Sequence, residues 1–393
     1  MLALVCAVTV STIYGIQPVL GAAGEDLGLG EGVLGWLVAA GQIGYLAGLV
    51  MLVPLGDLLD RRKLITVLLL LTAVGAGVAA AAPSGGIAIA GLALAGLFAV
   101  VVQITVAYVA VVSPPGERGR NIGAVTSGVV IGILGVRVVA GTLGELTDWR
   151  MVYLVLAGLC AMLALATRLT LEVDIHRPRA RYGQLLSSLG RLVVDDRLLL
   201  SRGLVAFFLF ASFGTLWSGL ALPLGDAPWH FGTTEIGLFG LAGLTGALGA
   251  ARAGRWADQG LTPSVTSWSL ALLTASWLLI AQAGSSLWLL IVGVIVLDFA
   301  VQAVHVSSQH LLTTARPDQG SSVIGAYMAF YSLGSALGAI TTTWAYSARG
   351  WSAASLLGAA YAALGLLVAT STRRFAALPK AQQPSASVSA TSR

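Results

Sequence analysis

Residues 33–63 read VLGWLVAAGQIGYLAGLVMLVPLGDLLDRRK, and the order of residue types in this stretch decides what kind of fold the chain can have. From Val33 to Pro54 no ionisable acid or base occurs; Asp57, Asp60, Arg61, Arg62 and Lys63 then follow in quick succession. About 20 apolar residues are what an α-helix needs to cross hydrocarbon, and a basic cluster at its end is what the cytoplasmic face of a bilayer collects. After Lys63 the chain turns apolar again, from 64 to 82. The stretch therefore reads as a membrane-crossing helix, a short cytoplasmic loop and the start of a return crossing.

The rest of the chain repeats this pattern. Apolar runs near 2–23, 33–54, 64–82, 86–112, 121–144 and 151–171 precede the longest charged segment, Glu172 to Arg202, and runs near 203–225, 235–253, 263–283, 286–308, 322–345 and 352–371 follow it. The expected architecture is an all-α membrane protein with twelve transmembrane helices in two six-helix halves, 1–171 and 203–371. A cytoplasmic connector, 172–202, part helical around Tyr182 to Leu192, joins them, and a Ser/Ala/Gln-rich tail, 372–393, is expected to be disordered. Composition agrees: of 393 residues 57% are hydrophobic and only 10% charged, with mean hydropathy +0.88, against about 25% charged in soluble domains. Such a chain has too little polar surface for a soluble enzyme and too much apolar content for a disordered protein. Cys6 and Cys160 both lie in apolar runs, so no disulfide framework is expected. The first run ends in Gly-Ala-Ala-Gly like a secretory signal, but it lacks a basic start and contains Tyr14, Gln17 and Pro18, so a retained helix is preferred. Met1 opens directly into hydrocarbon, which leaves room for a short cytoplasmic tail ahead of it.

Charge gives the orientation. With both termini cytoplasmic, 19 of the 22 Lys and Arg residues fall on inner segments; Arg150 and Arg349 fall outside, and Arg137 lies within a helix. The positive-inside rule thus places the protein in the cytoplasmic (inner) membrane with both ends inside. The net charge of +5 is a membrane-orientation signal, and no nucleic-acid partner is expected.

The two halves resemble each other. Gly48, Gly56 and Asp60 recur as Gly246, Gly254 and Asp258 at a spacing of 198; Val102-Gln103 recurs as Val301-Gln302 at 199; Gly123-Ala124, Gly132 and Trp149 recur as Gly325-Ala326, Gly334 and Trp351 at 202. Parallel repeats of this kind place a substrate site near the midplane between the halves, with access alternating by rocking.

The loop Pro54–Lys63 resembles the signature loop of the major facilitator superfamily, G-x-L-x-D-R-x-G-R-K. Gly56, Leu58, Asp60 and Arg61 fill its first, third, fifth and sixth positions, Arg62 continues the basic run, and Gly254, Trp256, Ala257, Asp258 and Gly260 form a degraded second copy. Lys63 stands where the family has its second Gly, and Gln259 where the repeat has Arg. Glu117-Arg118-Gly119-Arg120 and Asp148-Trp149-Arg150 resemble two further loops of the family. The resemblance implies a secondary transporter in which this loop, with Gly56, Asp60, Arg61, Arg62, Gly254 and Asp258, clamps the cytoplasmic side; read from chemistry alone, it is a positive-inside loop whose Gly56 permits close helix approach. Tyr14-Gly15-Ile16-Gln17-Pro18 and Pro54 to Arg62 look most like bacterial drug and metabolite efflux carriers. In helix 5 the family's antiporters carry a Gly-Pro, whereas this chain has Gly128, Gly132, Gly135, Gly141 and Gly144 without proline, so that signature is partial.

Ionisable residues inside a crossing are functional hypotheses by default. Two qualify, Arg137 and Asp298, with His305 as a titratable neighbour. Asp298 lies about 18 Å along its helix from Ser286, close to the midplane. Asp298, Gln302, His305 and Gln309 share one helix face, a polar stripe toward the cytoplasm along which an acid could load and release a proton. The plainer reading is a structural ion pair of Asp298 with Arg137. Arg137, about 10 Å from the end of helix 5, can also attract an anion or snorkel to the interface. The family resemblance places helices 1, 4, 7 and 10 around the cavity, which makes Tyr14, Gln17, Gln103 and Gln302 lining candidates; by themselves, Tyr and Gln also serve as packing and interhelical glue.

No P-loop, HExxH cluster or metal-ligand spacing occurs, and no nucleophile and base converge, so neither an enzyme nor a metal site is expected. The function expected is proton-coupled efflux of a small, lipophilic drug or metabolite by alternating access, with the proton gradient as energy source and no cofactor. Its partners are a small-molecule substrate and the lipid bilayer, and it is expected to work as a monomer. The rivals are proton-coupled uptake of a nutrient or anion, and a non-transporting membrane receptor.

Overall fold

A computed structural model of the chain describes residues 1–114, 117–173, 182–183, 195–249, 262–316 and 320–373. The described residues form helices joined by short turns, and among them eight helices are long and apolar enough to cross a membrane. The expected run 2–23 is two helices, α1 (Leu2–Tyr14) and α2 (Leu20–Asp26). Pro18, which has no N–H to give, sits in the break between them. α3 (Glu31–Met51) ends in a 3-10 turn, Val53–Asp57. α4 (Arg61–Ala80) starts at Asp60, whose Oδ1 accepts the Arg62 amide at 3.1 Å and so satisfies one of the helix's free donors.

The fourth run is also broken, into α5 (Gly85–Phe98) and α6 (Val101–Val112), after which come α7 (Arg118–Leu146) and α8 (Trp149–Thr170). α9 (Arg197–Gly219) begins five residues before Arg202, the expected end of the connector. Asp196 caps it through two amides, at 2.9 and 3.2 Å, and pairs with Arg316 at 3.0 Å. Arg202 is therefore a residue of the helix and is 1% exposed, a further charge buried within a crossing beside Arg137 and Asp298. α10 (Ala221–Gly225), α11 (Thr233–Gly249), α12 (Thr262–Ile280) and α13 (Leu287–Ala315) follow. The last two runs abut in α14 (Gly320–Ser371), broken only at Arg349 and Gly350. Gly350 has φ +69°, a conformation in which other L residues are strained. Of the connector's interior only residues 182–183 are described, and the tail from 374 onward lies outside the described residues.

Glycines let the helices touch backbone to backbone, and they do so in repeat pairs. A Cβ on Gly48 would run into the Leu97 carbonyl, and one on Gly246 into the Ile295 carbonyl; Gly132 sits on Ala7 and Gly334 on Phe207 in the same way. The sequence repeat is thus a repeat of packing contacts. Across the halves, α7 meets α11 and α3 meets α14. Thr233 Oγ1 donates to the Gly141 carbonyl at 2.7 Å, the Thr234 amide to Glu145 at 2.8 Å, and the Gly35 amide to Thr343 Oγ1 at 3.1 Å.

At the same end of the molecule Asp26 accepts from Arg150 and, at 3.1 Å, from the Trp149 indole N–H. These two donors, Arg150 first, hold the Asp26 carboxyl below the ordinary carboxylate range. A pKa lowered in the folded state gives a stabilisation that is complete above the unfolded value, about 4, and disappears as pH falls through the lowered one. Asp26→Asn is expected to melt slightly below the parent near neutral pH, with the gap closing in acid. A gap independent of pH in melting curves would contradict this.

Candidate functional site

The break in the first apolar run puts Tyr14 and Gln17 into the interior, where they are 1% and 3% exposed. Gln17 Oε1 accepts from Arg137 Nε at 3.1 Å and from Nη2 at 2.8 Å, while Arg137 Nη1 donates to the Ile133 carbonyl one turn back at 2.8 Å. Arg137 is 1% exposed, so it does not snorkel. Its guanidinium lies 3.8 Å from the Trp217 ring centre, 5.7 Å from Tyr14 and 5.8 Å from Phe213. A buried cation here is compensated by one amide oxygen, one carbonyl and three ring faces.

Asp298 of α13 lies near Trp217 and is 1% exposed. The indole N–H faces it but does not reach hydrogen-bond geometry, and neither carboxylate oxygen has a hydrogen-bond partner. Arg137 interacts with it through the field only, since no ion pair within 4.0 Å joins them. The structural ion pair considered from sequence is therefore not formed in this conformation. Glycines of α11 make the room: a Cβ on Gly240 would stand 3.0 Å from Arg137 Cβ, and one on Gly243 2.8 Å from the Trp217 ring and 3.2 Å from Asp298 Oδ2.

The other candidates arrange themselves around this centre or away from it. The Tyr14 hydroxyl bonds that of Tyr331, joining α1 to α14 at the core. His305 Nδ1 is 3.1 Å from the Tyr327 hydroxyl and its Nε2 is 3.1 Å from Gln309 Nε2; with that amide donating, Nδ1 carries the proton toward Tyr327. His305 also meets Phe210 edge-on at 5.2 Å. The stripe Asp298, Gln302, His305, Gln309 thus exists, with Gln302 half-buried. Gln103, in contrast, donates to Tyr45 at 3.0 Å within the first half and serves as interhelical glue.

Of the loop residues, Asp60 and Arg61 are buried and Arg62 donates to the Arg168 carbonyl. Gly56 does not provide a close approach: a Cβ there would lie 3.6 Å from Ile104, an ordinary contact. That service falls to Gly48, two turns earlier. Gly254 and Asp258 lie outside the described residues.

Sequence reading passed over Trp217, Phe213 and Arg202. Arg202 donates to Thr266 at 3.4 Å, deep in the second half. The repeat held the missing signal for Trp217: near helix 1 its spacing is 200, as between Ala7 and Phe207, and 200 residues after Gln17 stands Trp217. Gln17 sits in the break between α1 and α2 and Trp217 in the last turn of α9, and both contact Arg137.

Comparison with known proteins gives a consistent picture. Residues 1–227 match the family model described as Major Facilitator Superfamily. YgaY of Escherichia coli (strain K12), whose name marks it as an uncharacterized transporter, is 39% identical over 368 residues, covering 94% of this chain and 93% of the relative. The fold is similar to that of a point mutant of the nucleoside transporter NupG, with TM-score 0.76, 13% identity and coverage of 95% of this chain and 98% of that one. It is also similar to a bacterial homolog of the human lysosomal transporter Spinster in an inward-facing, unoccupied conformation, with TM-score 0.72, 15% identity and coverage of 95% and 93%.

Proposed function

We propose that this chain, which belongs to the major facilitator superfamily and is a membrane transporter of that type, exports a small lipophilic compound in exchange for protons. The observation that carries the reading is Asp298: a fully buried carboxylate, with no hydrogen-bond partner, in the layer where the two halves meet. An isolated buried charge costs several kcal/mol, and what offsets it is an incoming partner, a proton or a cation. A site that must be filled by one or the other before the halves rock is the minimal arrangement for exchange. The stripe through His305 and Gln309 supplies polar groups from Asp298 toward the Asp60 end of the molecule. Asp60 and its basic neighbours then act as the gate at that end, and the protein sits in the cytoplasmic membrane with both ends inside.

Uptake of an anion on Arg137 is the rival, and the geometry favours it less, because each guanidinium nitrogen already donates within the chain. Everted vesicles with an imposed pH gradient and a mixed substrate panel decide the matter. An inward-acid gradient is expected to drive accumulation of at least one lipophilic compound, with collapse on adding a protonophore. Accumulation that ignores the gradient would overturn proton coupling; gradient-driven movement of an anion only in the opposite sense would establish uptake; binding without movement would make the protein a receptor.

A further inference from the structure

Resting on that reading, we propose that the aromatic cage around Arg137 is the recognition site for a monovalent organic cation, and that the guanidinium occupies it as a tethered stand-in. Trp217, Phe213 and Tyr14 present their rings to one positive charge at 3.8, 5.8 and 5.7 Å. Ring faces arranged this way attract cations through their quadrupoles, and they do so for quaternary and planar delocalised cations as well as for arginine. A second observation is independent of the cage. Asp298, with neither oxygen hydrogen-bonded, adjoins the Trp217 ring, as the place of Gly243 between them shows.

The charge balance fixes the sign of the ligand. The centre holds one cation and one acid, and the cation is already engaged by Gln17 and the Ile133 carbonyl. The group left wanting a partner is the anion. An organic cation that enters therefore neutralises Asp298, and it cannot share the cage with the guanidinium, because two like charges against one acid repel in a low dielectric. Substrate and Arg137 compete for the same ring faces. Loading then replaces one proton at Asp298 by one monocation, and because Arg137 is covalently part of the chain and only moves off the ring faces, the centre carries one net positive charge whichever ligand it holds.

The test uses two probes of one shape and opposite sign, tetraphenylphosphonium and tetraphenylborate, in equilibrium binding to the full-length carrier in nanodiscs, read against empty nanodiscs. Saturable binding of the phosphonium and not of the borate is expected. Trp217→Leu should weaken phosphonium binding by about tenfold or more, whereas Trp217→Phe keeps a ring face and most of the affinity. Arg137→Gln should tighten it, because the internal competitor is gone. Should Arg137→Gln fail to give monodisperse protein, Gln17→Leu, which unties the guanidinium, should also tighten it. Saturable borate binding that disappears in Arg137→Gln, or phosphonium affinity that none of these changes moves, overturns the proposal. Phosphonium binding with this signature but no gradient-driven movement in proteoliposomes leaves the cage standing and overturns the transport reading. Gradient-driven transport of another compound without phosphonium binding overturns the cage alone.

Discussion

In Asp298→Asn, accumulation driven by a pH gradient is expected to fall to the level of empty vesicles, while exchange of a labelled for an unlabelled uncharged substrate across the membrane continues. The substitution preserves shape but removes the negative charge, and with it the ability to take up and release a proton. Because neither Asp298 oxygen is engaged in a hydrogen bond, no existing bond is lost with it, and the fold should be retained. Exchange of an uncharged substrate should stay within about tenfold of the parent rate, the change that ~1.4 kcal/mol of altered binding produces, whereas exchange of an organic cation, which uses the Asp298 charge, should slow by more than that. The two halves of the prediction separate a coupling acid from a structural one. Loss of exchange together with loss of coupling, in protein that melts like the parent, would make Asp298 part of the translocation path itself; unchanged dependence on the gradient would remove the proton role. His305→Gln serves as a comparison on the same stripe, since it keeps a hydrogen-bonding group opposite Tyr327 and Gln309.

Asp298 was legible in the sequence because a lone acid in an apolar run has no ordinary explanation, and the structure places it in the interior. The helices were legible for the same physical reason: in lipid, backbone polar groups must be satisfied within the segment, so apolar runs of sufficient length have little choice but to be helical. The breaks were less so. Pro18 marks the one between α1 and α2, yet Ala99–Val100 separates α5 from α6 without any residue that resists helix, whereas the corresponding stretch of α13, around Asp298, is continuous. Arg202 was hidden by its neighbours: a boundary drawn where charges end cuts off the first turn and more of α9, which carries Arg197 and Arg202 inside it. Trp217 was hidden by its chemistry. An indole counts as apolar in any run, and nothing in composition says that its face will meet a guanidinium supplied from a helix 80 residues earlier in the chain.

The repeat itself makes a prediction that neither half could make alone. Gly132 and Gly334 are repeat partners, as are Gly123 and Gly325, and all four lie within helices. A methyl group on Gly132 would meet the backbone of Ala7, and one on Gly334 that of Phe207; on Gly123 or Gly325 it would meet nothing within 4 Å. The same substitution should therefore have opposite signs at two sites in each half. Gly132→Ala and Gly334→Ala must push α7 from α1 and α14 from α9, and overpacking of this kind costs about 1–3 kcal/mol, more where the obstacle is backbone that cannot rotate away. Gly123→Ala and Gly325→Ala add a better helix former in open space, a gain of up to ~1 kcal/mol. Melting curves and the yield of monodisperse protein read all four. The first pair should melt well below the parent and the second at or above it, with each member behaving like its repeat partner. If Gly132→Ala were tolerated and Gly334→Ala were not, the equivalence of the halves would be one of sequence only, and the proposed rocking of the halves about Asp298 and Arg137 would lose this support. Parallel behaviour in both pairs would mean that the two halves are held by equivalent contacts at these positions, against which Gln17 opposite Trp217, and the gap at Ala99–Val100 opposite Asp298, stand out as places where the repeat breaks.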